Sequence, residues 1–108
     1  MRHEEEANLR ILKIVSENPD ISQRQLAVRL GISLGKTNFL IKALIEKGLL
    51  KAGNFRRAEN KVGYLYLLTP KGFGAKLRLT RAFLIRKEAE YKALRSEILT
   101  LKREVKLQ

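Results

Sequence analysis

Apolar positions recur along this 108-residue chain with a period that changes from helical to extended and back. From Glu4 to about Glu17, Leu9, Ile11, Leu12 and Val15 mark one face of a helix, with acidic residues in the first turn where the macrodipole favours them. "ENPD" ends it. In "ISQRQL", Ser22 is spaced to act as N-cap, Gln25 to close a capping box, and Ile21 and Leu26 to form a hydrophobic staple. This predicts a short second helix from about Gln23 to Leu30. Gly31 then supplies a permissive backbone for a sharp turn, Ile32 can plug the corner, and Ser33 can cap a third helix running to about Lys47. On that helix Thr37, Leu40, Ile41 and Leu44 form one stripe facing the core. Gly35, Asn38, Phe39 and Lys42 fall on or near the opposite face, with Lys36 on its flank.

Past Gly48 the period becomes extended. "LLKA" reads as a strand, "NFRRAENK" as a polar loop with a basic tip, and "VGYLYLL" as a second strand. Two short helices joined through "LGIS" make a helix-turn-helix, and three helices followed by a basic hairpin make a winged helix. "TPKG" opens the last element, with Thr69 as N-cap and Pro70 at the first helical position. No proline follows, so one helix can extend for ~55 Å at about 1.5 Å per residue. The expected fold is mainly α with a small β hairpin. Residues 1–69 form a winged helix-turn-helix domain, and residues 70–108 form a long C-terminal coiled-coil helix.

Such a helix is too long for a domain this small to cover, and its apolar spacing says what covers it. Phe73, Leu77, Thr80, Leu84, Lys87, Tyr91, Leu94, Ile98, Leu101 and Val105 alternate steps of four and three, a heptad seam with Leu77, Leu84, Tyr91, Ile98 and Val105 at a. A parallel pair sets Glu90 opposite Arg95 and Glu97 opposite Lys102 of a second copy, whereas an antiparallel pair sets the Glu90, Glu97 and Glu104 column against itself. The expectation is a parallel homodimer zipped from about Glu88 onward, with Leu84, Tyr91, Leu94, Ile98, Leu101 and Val105 at the interface. Residues 71–87 bear six positive charges and no acid, so the front halves should be splayed or packed on their own domains.

Charge adds a partner to this picture. The net charge is +12, with +5 on residues 33–63 and +6 on residues 64–87, against 0 on residues 1–32 and +1 on residues 88–108. A field concentrated in this way favours a polyanion, nucleic acid before an anionic membrane. No apolar run approaches the ~20 residues of a membrane-spanning helix, and "MRHEEEANLR" is too acidic for a signal peptide. The expected location is the cytoplasm. With no cysteine and one histidine, His3 near the N-terminus, there is no catalytic constellation and no metal or cofactor site to expect. "GISLGKT", Gly31 to Thr37, resembles a phosphate-binding loop, but it has three residues where that loop needs four between its first glycine and Gly-Lys-Thr. It also follows a helix where a phosphate loop follows a strand. An enzyme is not expected.

The constellation with a physical rationale is the third helix plus the wing. A recognition helix inserts its N-terminal half into the major groove of duplex DNA, where Lys can donate to guanine, Asn can pair with adenine and an apolar side chain can touch a thymine methyl. Lys36, Asn38, Phe39 and Lys42 offer that set, and Gly35 removes a side chain where the backbone must come close. Ser22, Gln23 and Ser33 lie at helix N-termini, where phosphate oxygens can be taken, although the serines also have capping roles. In the wing, Arg56 and Arg57, flanked by Asn54, Asn60 and Lys61, could reach the minor groove and the backbone.

"QLAVRLGIS", "IKALIEKGLLKAGNFR" and "NKVGYLYLLTPKG" together resemble MarR-type winged-helix regulators, most closely the small subgroup associated with bacterial exopolysaccharide gene clusters. The resemblance spans roughly Leu9 to Tyr91. It implies a dimeric, DNA-binding bacterial transcription factor acting near polysaccharide genes; the expectation is a nucleoid-associated regulator of a two-fold-related duplex site, the alternative being a winged-helix and coiled-coil scaffold protein that binds nucleic acid without sequence preference. It further implies DNA contact by Ser33 to Lys47 and by Asn54 to Lys61. Full-length members are longer and build their dimer interface from helices at both termini. This chain offers one short N-terminal helix and one long C-terminal helix, and the coiled coil is the expected interface.

Overall fold

A computed structural model describes residues 3–56 and 62–107, with side chains at all of these except 54–56 and 62–64. The elements run α1 (His3–Glu17), α2 (Gln23–Leu30), α3 (Leu34–Glu46), β1 (Leu50–Arg56), β2 (Val62–Leu68) and α4 (Pro70–Lys106). The mainly helical winged architecture expected from the sequence is present.

The helix-turn-helix begins as its residues dictate. Ser22 Oγ accepts the Gln25 N–H and Gln25 Oε1 accepts the Ser22 N–H, both at 3.0 Å, completing the capping box. Gly31 closes α2 with a left-handed φ of 70°, a conformation that other residues adopt only at a cost. Arg10, reaching across from α1, donates to the Arg29 and Leu30 carbonyls at 3.0 and 3.4 Å, so a side-chain cation satisfies the end of α2. Ser33 Oγ accepts the Lys36 N–H at 3.0 Å and starts α3. "GISLGKT" is thus a left-handed cap, a corner and the first turn of a helix. Thr37 within it is buried and donates its hydroxyl to the Ser33 carbonyl at 2.9 Å.

One core joins Leu9, Ile11, Leu12, Ile14 and Val15 of α1 to Leu26 and Leu30 of α2, to Leu40, Ile41 and Leu44 of α3, to Leu50 and Tyr66 of the hairpin, and to Ala75 and Leu79 of α4. The two strands pair antiparallel from Leu50 opposite Leu68 to Arg56 opposite Val62. β1 therefore continues three residues into the segment expected to be loop. Asn54, Phe55 and Arg56 are ladder residues, because backbone pairing with β2 overrides their individual preferences.

α4 is anchored by a close backbone approach. The Thr69 N–H donates to the Leu49 carbonyl at 3.1 Å, Thr69 Oγ1 donates to the Gly48 carbonyl, and the Gly72 N–H donates to Thr69 Oγ1 at 3.0 Å. A Cβ on Gly72 would lie 2.0 Å from the Leu49 oxygen, so only glycine fits there. The front half of α4 then packs on its own domain through Gly72, Ala75 and Leu79, with Phe83 half-buried against the core. Lys76 Nζ donates to Ser16 Oγ at 3.1 Å, and Arg86 pairs with Glu6 at 3.4 Å. Beyond Arg86 every described residue of α4 is exposed. The radius of gyration is 19.3 Å, against about 13 Å for a compact domain of 100 residues, because this last stretch projects from the rest.

Candidate nucleic-acid interface

The outer face of the helix-turn-helix is built by contrast with its buried stripe. Thr37, Leu40, Ile41 and Leu44 are sealed inside, so 3.6-residue geometry leaves Gly35, Lys36, Phe39 and Lys42 exposed on the other side of α3. Phe39 is 70% exposed, and nothing in the described fold covers it. Leu34, in the first turn of the same helix, is exposed too, as is Val28 of α2. A face that alternates ammonium groups with an uncovered aromatic has the donors and apolar surface that base edges require.

Asn38 differs from its neighbours. It is half-buried, and its Nδ2 donates to Gln23 Oε1 at 3.0 Å. Gln23 Nε2 in turn donates to the hydroxyl of Tyr66 at 3.1 Å. Two residues expected separately as contacts, one per helix, are therefore joined to each other and to the wing's second strand. The spacing of Gln23 and Asn38 carried no sign of this bond, which depends on the crossing of α2 and α3. Ser22 and Ser33 use an Oγ lone pair each for capping, which leaves their hydroxyl protons available as donors.

Among the wing residues expected to bind, Asn54 and Arg56 lie in β1 rather than in the loop. Arg57, Asn60 and Lys61 lie outside the described residues. Among the described residues no group of three or more His, Cys, Asp or Glu side chains could hold a metal ion, and no helix is long and apolar enough to cross a membrane.

A second surface runs down the projecting helix. Leu84, Tyr91, Leu94, Ile98, Leu101 and Val105, the expected interface residues, are all exposed along it. Two shallow depressions interrupt the stripe. One is lined by Tyr91, Leu94, Arg95 and Ile98, and the other by Ile98, Leu101, Lys102 and Val105 with Lys106. In heptad terms each first set of four occupies positions a, d, e and a. Glu90 is engaged within the chain: Arg86 Nε donates to one carboxylate oxygen at 3.0 Å and Lys87 Nζ to the other at 3.2 Å. These bonds, Lys87 first and Arg86 second, hold its carboxyl below the ordinary glutamate range.

Residues 5–51 match the winged helix-turn-helix DNA-binding family. No curated protein sequence matches the chain. Among solved structures, the adhesin competence repressor of Streptococcus pyogenes superposes with a TM-score of 0.65 at 19% identity, over 83% of this chain and 65% of that one. Staphylococcus aureus MarR, solved with salicylate and kanamycin, superposes with a TM-score of 0.61 at 20% identity, over 79% of this chain and 55% of that one. A mutant of S. aureus MepR bound to an oligodeoxyribonucleotide gives a TM-score of 0.63 at 18% identity, over 100% of this chain and 80% of that one. The chain thus spans less than two thirds of the first two. These likenesses establish a fold shared with MarR-type regulators.

Proposed function

We propose that this chain is a duplex-DNA-binding transcriptional regulator that acts as a homodimer in the bacterial cytoplasm, associated with the nucleoid. The observation that carries the reading is the outer face of α3, where Lys36, Phe39 and Lys42 stand exposed around Gly35, opposite a sealed core stripe. Base edges in the major groove would cover Phe39 and accept hydrogen bonds from the lysines. The +11 carried by residues 33–87 supplies the phosphate attraction, to which Arg56, Arg57 and Lys61 of the wing contribute. The helix-turn-helix match over residues 5–51 and the oligonucleotide bound by the MepR mutant support the same partner.

A second copy is the proposed cover for the stripe from Leu84 to Val105. The a, d, e, a depressions fit a helix with the same heptad spacing, and a parallel arrangement pairs Glu97 with Lys102 across the seam. A two-fold dimer implies an operator with two related half-sites. The "NFR" and "NKVGYLYLLTPKG" segments are the basis for proposing exopolysaccharide-related genes as targets.

Fluorescence anisotropy with labelled duplexes over a range of salt tests the reading. Binding should fall steeply with salt, and Lys36→Ala and Lys42→Ala should each reduce the slope by about 1 if the lysine meets a phosphate, or relax preference at one base pair if it meets a base. Equal competition by duplex DNA, RNA and heparin would overturn it.

A further inference from the structure

We infer that Tyr66, a residue of the hairpin, positions Asn38 through Gln23 and thereby sets the choice of base at one position of each half-site; this rests on the reading of α3 as the helix that meets base edges. The inference starts from two hydrogen bonds in series, Asn38 Nδ2 to Gln23 Oε1 at 3.0 Å and Gln23 Nε2 to Tyr66 Oη at 3.1 Å. They link the two helices of the helix-turn-helix to β2, which lies 43 residues beyond Gln23 in sequence. No such tie holds Lys36, Phe39 or Lys42 among the described residues.

The far end of this chain is fixed. Tyr66 is 5% exposed within the core, and its backbone N–H donates to the Pro19 carbonyl at 2.8 Å, which ties β2 to the turn before α2. Neither the ring nor its main chain is free to follow a wandering amide. Gln23 spans the gap between this anchor and Asn38, with its oxygen and nitrogen both engaged.

The consequence for Asn38 follows from its atoms. A primary amide carries two N–H donors and one acceptor oxygen. With one N–H held by Gln23, the second N–H and Oδ1 have no partner among the described residues. One donor beside one acceptor is the pair that adenine requires, N7 accepting and the N6 amino group donating. Rotating the amide half a turn would give Oδ1 to Gln23 and leave both N–H groups outward, but it requires Gln23 to turn as well and Tyr66 Oη to donate rather than accept. That donor pair suits the N7 and O6 acceptors of guanine. In the arrangement the structure holds, with Gln23 donating to Tyr66 and accepting from Asn38, Asn38 therefore presents the adenine pair, and reversing it means turning both amides and the tyrosine hydroxyl together. The wing strand and the recognition helix are then one reading unit.

The test measures affinity for a bound duplex and for variants carrying each base pair at each position, with the 108-residue chain. An asparagine–adenine contact carries roughly 5- to 150-fold discrimination. Asn38→Ala should abolish an adenine preference at one position per half-site. Tyr66→Phe, which keeps the ring and removes the hydroxyl, should lower adenine-over-guanine preference at that same position by at least about 3-fold, part of the discrimination such a contact carries. Other positions and the salt slope should not change. Combining it with Asn38→Ala should add nothing further. Gln23→Met, at a half-exposed site, should lower the adenine-over-guanine preference at that same position whatever it does to overall affinity, and carries the test should Tyr66→Phe fail to fold.

A purely structural tyrosine would give a different pattern, with all sequences weakened alike, and that result overturns the inference. So does an Asn38→Ala variant that keeps full preference at every position while Lys36→Ala or Lys42→Ala still impairs binding; the reading of α3 then survives without this role. Wild-type protein that shows no sequence preference would instead overturn the parent reading.

Discussion

Replacing Gly72 with alanine sets two physical effects against each other, and the structure decides the sign. Gly72 lies inside α4, where alanine is intrinsically favoured by roughly 0.5–1 kcal/mol. Its added Cβ would sit 2.0 Å from the Leu49 oxygen and 3.0 Å from the Leu49 carbonyl carbon. Leu49 cannot yield freely, because that oxygen accepts the Thr69 N–H and the next residue begins β1. The helix must therefore lift by more than an ångström, at an overpacking cost of about 1–3 kcal/mol. Losing the Thr69–Leu49 hydrogen bond adds about 0.5–1.5 kcal/mol. After the propensity gain, Gly72→Ala should destabilise by about 0.5–4 kcal/mol, lowering Tm by ~2–30 °C for a domain of this size.

Gly74 is the internal control. It lies in the same first turns, and a Cβ there would meet nothing within 4 Å. Gly74→Ala should therefore stabilise by about 0.5–1 kcal/mol. Urea unfolding followed by far-UV circular dichroism measures both, at one protein concentration because self-association adds to apparent stability. A Gly72→Ala protein as stable as Gly74→Ala would refute the close approach of α4 to Leu49.

Three further outcomes are expected. Glu97→Lys should weaken self-association several-fold by turning two symmetry-related cross-seam attractions into repulsions, each exposed pair of this kind being worth roughly 0.2–1 kcal/mol; sedimentation velocity showing an unchanged dimer fraction would contradict the parallel pairing. Ser33→Ala removes the acceptor for the Lys36 N–H and should cost about 1 kcal/mol in urea unfolding, with no loss expected if the cap were idle. Glu90, held low first by Lys87 and then by Arg86, stabilises the folded helix above the ordinary glutamate pKa, and that contribution is lost as pH falls through the lowered value. A carboxyl NMR titration should find it below the usual range and find Lys87→Ala raising it, whereas an unmoved midpoint would deny the contact.

Local chemistry made much of this fold legible in the sequence. The capping box at Ser22, the left-handed turn at Gly31, the stripe from Thr37 to Leu44 and the start of α4 after Thr69 each depend on residues within a few positions of one another. What is not legible in the sequence depends on distant partners. Arg10 caps α2 from about twenty residues upstream, and no sequence signal joins them. Gly72 reads as a tolerated glycine in a first helical turn, until the fold brings the Leu49 carbonyl against it. Along α4 the heptad pattern marks Phe73, Leu77 and Leu84, which are exposed, while the core takes Ala75 and Leu79 from a second face. The basic and aromatic face of α3 was legible from periodicity alone. The bond that turns Asn38 from a free side chain into a held one was not.

The most direct test of the central claim is selection of bound duplexes from a random pool at about physiological ionic strength, where non-specific contacts are weakened. A sequence-reading dimer predicts enrichment of a symmetric motif whose half-sites lie ~10 base pairs apart, one turn of the double helix. A pool that stays random while bulk binding persists would contradict it, and would mean that the basic face senses only charge and shape.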